Sequence, residues 1–336
     1  MTFLVTGSSG HLGEALMRTL AARGHEVLGI DRRAGPFTQR RGSITDRDFV
    51  RGCMKGTIAV LHAATLHKPH VATHSRQDFI DVNITGTLNL LEEAAAAKVA
   101  GFIYTSTTSV FGDALVPPPA EPAAWVTEEM RPVPKNIYGV TKAAAEDLCQ
   151  LFARNHALPI IVLRTSRFFP EADDNAAARA AFDDGNAKAN EFLYRRVDIE
   201  DVVEAHLLAA AQASSARFAK YIISATTPFS RHDTAELRIH APQVVRRCVP
   251  DYEAEYARRG WTMIDGIDRV YVNDKARTEL GWQPRHDFGT VIARLKAGGD
   301  IMSPLARVIG SKGYHDRSFD DGSYPVDPHP AEDAMD

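Results

Sequence analysis

Phe3-Leu4-Val5-Thr6-Gly7-Ser8-Ser9-Gly10-His11-Leu12-Gly13 opens the chain and decides how the rest is read. Its first residues are apolar enough for a buried strand, and Glu14-Ala15-Leu16-Met17-Arg18-Thr19-Leu20 continues as a helix. Strand, glycine-rich turn and helix start together form a dinucleotide-binding entry. Glycine lets the backbone approach a pyrophosphate, and the helix N-terminus offers N–H groups and positive potential. The spacing is Gly-x-x-Gly-x-x-Gly, so Gly7, Gly10, His11, Leu12 and Gly13 are the expected contacts. Eighteen residues beyond Gly13, Asp31 ends a second apolar run, Val27-Leu28-Gly29-Ile30. A carboxylate there suits the adenosine ribose hydroxyls and so favours NAD. Arg32 and Arg33 follow at once and leave NADP open, since an arginine can hold a 2′-phosphate.

Downstream, apolar runs without polar alternation recur at Ile58-Ala59-Val60-Leu61, Gly101-Phe102-Ile103-Tyr104 and Pro159-Ile160-Ile161-Val162-Leu163-Arg164. That is the pattern of parallel strands buried on both faces. Between them lie helical stretches: a short one from Asp46 to Cys53, Phe79 to Lys98 interrupted at Asn83 and Gly86, and one from Tyr138 through Phe152. Pro117 to Pro134 reads as a loop. The alternation implies an α/β fold, a Rossmann-type doubly wound parallel sheet. After Phe169-Pro170 the composition shifts, and Glu171 to Asn190 is helical in pattern. The expected division is a dinucleotide-binding domain over 1–165 with a returning segment at 196–225. A smaller mixed α/β substrate-binding subdomain covers 166–195 and 226–309. Residues 310–336 read as an acidic, partly disordered tail.

Asn136-Ile137-Tyr138-Gly139-Val140-Thr141-Lys142 carries the chemistry. On a helix, Tyr138 and Lys142 stand one turn apart on one face. An ammonium there favours the tyrosinate and pulls a phenol that ordinarily titrates near about 10 toward neutrality, where it serves as general acid or base. Tyr-x-x-x-Lys alone is a weak signal; its company gives it weight. His62-Ala63-Ala64-Thr65 and the hydroxyl run Thr105-Ser106-Thr107-Thr108-Ser109 both follow strands, at the carboxyl edge where such sheets bind ligands.

Composition sets limits. The chain has 336 residues, 44% of them hydrophobic and 24% charged, and a formal net charge of −4. That balance argues against a nucleic-acid partner, and no apolar run is long enough to span a bilayer. Cys53, Cys149 and Cys248 lack CxxC pairing and no HExxH occurs, so no metal site and a reduced, cytoplasmic setting are expected.

As a set, the glycine loop, Asp31, His62-Ala63-Ala64, Asn83 with Gly86-Thr87, Thr105-Ser106-Thr107, Tyr138/Lys142, Leu163-Arg164, Val197-Asp198-Ile199-Glu200-Asp201 and Leu280-Gly281-Trp282-Gln283-Pro284 resemble a known family. It is the extended short-chain dehydrogenase/reductase superfamily, in its NAD-dependent epimerase/dehydratase group. The resemblance implies that Thr107 completes a triad with Tyr138 and Lys142, and that Lys142 also holds the nicotinamide ribose. It places Ser43, Ile44, Ala63, Ala64, Thr65, Thr105 and Arg32 along the cofactor. His67 and Lys68, with Thr108, fall on the substrate side, where a loop role for the first two is the competing reading. Thr108 and Ser109 stand where the 4,6-dehydratases of this superfamily carry acidic residues, which disfavours that reaction. Arg167 replaces the asparagine that contacts substrate in nucleotide-sugar epimerases. Arg167, Arg195 and Arg196 are either forks for a substrate anion or structural partners of Asp173, Asp174 or Glu200.

The resemblance implies a sugar-derived small-molecule substrate and a homodimer built on the helices at 79–98 and 138–156. The reaction it implies is that of a 4-epimerase. A dehydrogenase or reductase of a sugar, sugar acid or other small hydroxy compound is the alternative. A noncatalytic NAD(P)-binding sensor is a third reading, against which the intact triad argues.

Overall fold

A computed structural model describes residues 2–173 and 176–313. Seven strands form one parallel sheet: β1 (Thr2–Thr6), β2 (Glu26–Asp31), β3 (Arg40–Arg41), β4 (Thr57–His62), β5 (Gly101–Thr107), β7 (Ile160–Thr165) and β8 (Phe218–Ile223). Their order is β3-β2-β1-β4-β5-β7-β8, so the strand sequence reverses direction at β1. Such a reversal leaves a crevice at the carboxyl edge between β1 and β4. The short β6 (Ala124–Val126) pairs in parallel with β9 (Arg269–Tyr271) as a separate two-stranded sheet.

Both faces of the large sheet are covered, as its unbroken apolar strands require. Val5, Leu61, Ile103, Ile161 and Leu163 pack on α1 (His11–Ala22) and α8 (Ile199–Ala216). Their alternates Leu4, Val60, Phe102, Tyr104, Ile160 and Val162 pack on the other side, against α2 (Arg47–Met54), α4 (Gly86–Ala97) and α5 (Ile137–His156). Asp46 caps α2 by accepting from the Phe49 N–H, and Asn136 caps α5 by accepting from the Gly139 N–H.

The stretch entering α4 is helical throughout but changes pitch. α3 (Arg76–Phe79) passes into a π-helical turn, Ile80–Thr85, before α4 begins. Asn83 lies in that turn and is buried. The segment expected to be one helix over 171–190 is two, α6 (Ala176–Ala181) and α7 (Asp184–Glu191). Together with α9 (Thr234–Cys248), α10 (Tyr252–Arg259) and α12 (Phe288–Lys296), α7 surrounds a second core that includes Phe229, Leu237, Val270 and Phe288. α11 (Asp274–Glu279) and α13 (Pro304–Ile309) return the chain toward the first core. The tail expected over 310–336 lies, beyond residue 313, outside the described residues. No described helix is long and apolar enough to cross a membrane.

Candidate active site

A cavity of about 660 Å³ runs along the carboxyl edge of the sheet, from the glycine loop to the β6–β9 pair. At its first end the backbone packs too closely for side chains. Gly7 has φ +73°, and a Cβ there would lie 2.9 Å from Ala64 Cα; one on Gly13 would lie 1.9 Å from the Gly7 carbonyl oxygen. Gly10 is the N-cap of α1 and offers no side-chain acceptor, so the first-turn N–H groups lack a side-chain cap. Gly10, His11, Leu12 and Gly13 all line the cavity. Uncapped donors beside a glycine cradle fit a pyrophosphate. Asp31 is fixed at the end of β2, accepting from the Ser9 N–H at 3.0 Å and the Arg33 N–H at 2.8 Å. Arg32, Ser43 and Ile44 line the same end, the last held in place by Asn89, which donates to its carbonyl at 3.0 Å.

Behind Ala63, Ala64 and Thr65 the polar groups are closely matched. Thr6 Oγ1 accepts from the Ala64 N–H at 3.1 Å and bonds His62 Nδ1 at 2.8 Å. Burial and the Lys142 charge hold His62 well below the usual histidine range, so it stays neutral. Asn83 accepts from the Leu66 N–H at 2.8 Å and from Thr65 Oγ1 at 2.9 Å. It donates to the Leu66 carbonyl at 2.9 Å and to Thr141 Oγ1 at 3.0 Å. One buried amide thus ties the strand end of β4 to α5.

Thr107, Tyr138 and Lys142 converge in the middle of the cavity. Strand register sets the first, since Thr107 pairs with Thr165 at the end of β5. The first and second turns of α5 set the other two. The expectation that Lys142 lowers the tyrosine is not met in the protein alone. Burial pushes the Tyr138 phenol up to about 12, and the neighbouring Thr107 hydroxyl offsets that only in part. Lys142 is itself driven down to about 7 by burial. Its Nζ donates to the Thr105 carbonyl at 2.6 Å and rests 4.1 Å from the centre of the Tyr104 ring. The phenol is therefore a proton donor at rest; its use as a base depends on what binds beside it.

The substrate end has a different wall from the expected one. Arg196 does not line the cavity: it is buried, with Nε 2.7 Å from Glu191 Oε2 and Nη1 donating to the Phe169 carbonyl at 3.0 Å. Arg195 lines it but pairs with Asp173 and, at 2.5 Å, with Glu191. Arg167 also lines it, donating to the carbonyls of Glu171 and Ala172 at 2.7 and 2.9 Å. Asp173 is a partner named by the sequence, whereas Glu191 was not foreseen. Glu200 instead bonds Arg285 and His286, and Asp174 lies outside the described residues. Burial, then Arg167 and Arg269, depress the Arg195 guanidinium to about 9.

Arg269, absent from the sequence reading, supplies a further guanidinium to this wall. It lies 5.3 Å from the Tyr194 ring centre and makes no ion pair among the described residues; its Nε is buried and unbonded. Its signal was masked because β9 is only three residues long. His67, Lys68 and Thr108 also line the cavity. The His67 ring packs 5.3 Å from Phe169 and 4.8 Å from His70, and burial holds it well below the usual histidine range. His67 is part of the cavity wall rather than a solvated loop.

The family model described as "NAD dependent epimerase/dehydratase family" matches residues 3–223. Among curated proteins the chain is 25% identical over 325 residues to the UDP-glucose 4-epimerase of Streptomyces lividans, covering 86% of this chain and 93% of that one. It is 34% identical over 154 residues to sterol demethylase protein B of Methylococcus capsulatus, 44% of this chain and 45% of the relative. It thus spans less than half the length of that relative, and of another at 33% identity. A solved short-chain dehydrogenase/reductase superfamily protein from Agrobacterium tumefaciens with bound NAD shares the fold, with a TM-score of 0.63 and 23% identity, over 88% of this chain and 96% of that one.

Proposed function

The chain belongs to the NAD-dependent epimerase/dehydratase family, and from that membership we propose that it oxidises and re-reduces a secondary alcohol of a sugar or nucleotide-sugar, as a 4-epimerase does. The observation that carries the reading is the convergence of Thr107, Tyr138 and Lys142 in the same cavity as the glycine cradle and Asp31. NAD held along the glycine cradle and Asp31 would supply the hydride acceptor and donor for the carbinol carbon. Tyr138 takes the hydroxyl proton as the C–O bond becomes a carbonyl, and gives it back on reduction. Thr107 shares the substrate oxygen's hydrogen bond, and Lys142 would hold the nicotinamide ribose. Thr108 and Ser109 offer no acid–base pair for water loss, which supports epimerase over dehydratase chemistry.

A dehydrogenase of a small hydroxy acid is the second reading. It is favoured by Arg195 and Arg196 being occupied by Asp173 and Glu191, which leaves few forks for a diphosphate. Tyr138→Phe tests both: turnover should fall at least about a thousandfold, from loss of general acid–base catalysis, while NAD affinity stays within about twofold. Near-normal kcat in that variant would refute the assignment. NADH accumulating in step with product would choose the dehydrogenase. We also propose that the protein works as a homodimer through α4 and α5.

A further inference from the structure

The segment after α13 turns back over the glycine loop. Ser311 Oγ donates to Glu171 Oε1 at 2.8 Å, and the Lys312 N–H reaches the same oxygen at 3.1 Å. His11, the first residue of α1, bonds that oxygen through Nε2 at 2.8 Å. Glu171 is buried and therefore joins the start of α1, the loop after β7 and the end of the described chain at one atom. The knot places Lys312 and Gly313 on the cavity wall, with the Lys312 ammonium bonded to Glu14 in the first turn of α1.

That ammonium has donors beyond the one it gives Glu14, which also accepts from Arg18 Nε at 2.8 Å. A lone carboxylate one turn into the helix would repel a pyrophosphate lodged at its N-terminus. Two cations around it reverse the sign of the local field. We propose that Lys312 is a cofactor ligand, carried over the glycine loop by Ser311 and the Glu171 knot so that its ammonium pairs with the pyrophosphate of NAD. The inference rests on the NAD reading of the cavity and adds a residue from outside the part of the chain that the family model matches.

Calorimetric titration of the full-length protein, freed of bound nucleotide, tests it with NAD, ADP-ribose and adenosine as probes. A charged hydrogen bond to phosphate is worth enough that Lys312→Gln should weaken NAD and ADP-ribose about tenfold. Adenosine, which has no pyrophosphate, should bind unchanged, and Lys312→Arg should restore the dinucleotides. Lys312 is partly exposed, so the folded state should survive, and an unchanged melting temperature would confirm that. A loss for NAD below about threefold, or an equal loss for adenosine, would overturn the assignment. If the wild type bound none of the three, the cofactor reading would fall and this inference with it.

Discussion

Glu171 is where a single proton should be felt most. Burial alone would raise its carboxyl, but hydrogen bonds with His11 and Ser311 outweigh that cost and hold it at about 2, well below its ordinary 4.5. For a carboxylate depressed on folding, the stabilisation is complete above the unfolded value and is lost as pH falls through the folded one. Melting temperatures of the wild type and Glu171→Gln should therefore differ most above about pH 5 and converge toward about pH 2. A gap that stays constant over that range would mean that shape, not charge, is what the glutamate supplies. The same scale shows what the sequence could and could not tell. The Tyr138–Lys142 spacing and Asp31 were legible because they depend on helix geometry and on distance along one strand. Their protonation was not, because the burial that sets it comes from packing of α5 against β5, where Thr105 and Tyr104 meet Lys142.

At the level of elements, the parallel sheet was readable from its unbroken apolar strands, and the cofactor side of the cavity followed from where those strands stop. The substrate side was not. β6 and β9 are three residues each, too short to show a period, and each exists only because the other supplies its hydrogen bonds. Likewise the break between α6 and α7, signalled only by Asp183 at the N-cap and Gly185 after it, places Glu191 beneath Arg195 and Arg196. Arg269, delivered by β9, makes no ion pair among the described residues, and we propose that it meets a substrate anion. Arg269→Ala should raise KM for a carboxylate-bearing substrate about tenfold over its neutral analogue, as loss of one charged hydrogen bond predicts. kcat should change little. Steady-state kinetics on the acid and neutral forms of one sugar would decide it, and equal effects on both would make the arginine structural.

The whole molecule leaves an apolar strip on one side. Ile80 is 37% exposed, Val140 47% and Leu151 37%, the first on the π-helical turn and the others on α5. Exposed apolar residues gathered on neighbouring helices mark an association surface. A self-complementary contact there would have twofold symmetry and would brace the helix that carries Tyr138. Light scattering at micromolar concentration should give the mass of a dimer, and Val140→Glu with Leu151→Glu should give a folded monomer. A monomer mass for the wild type would refute the proposal. The β6–β9 pairing bears on a different matter, the order in which a ribosome delivers the parts. The glycine loop, Thr107, Tyr138 and Lys142 all emerge in the first half of synthesis, whereas β6 has no partner until Tyr271 has been made. A nascent chain halted anywhere between Lys142 and Arg269 thus holds every residue assigned to proton transfer and lacks the β9 part of the wall.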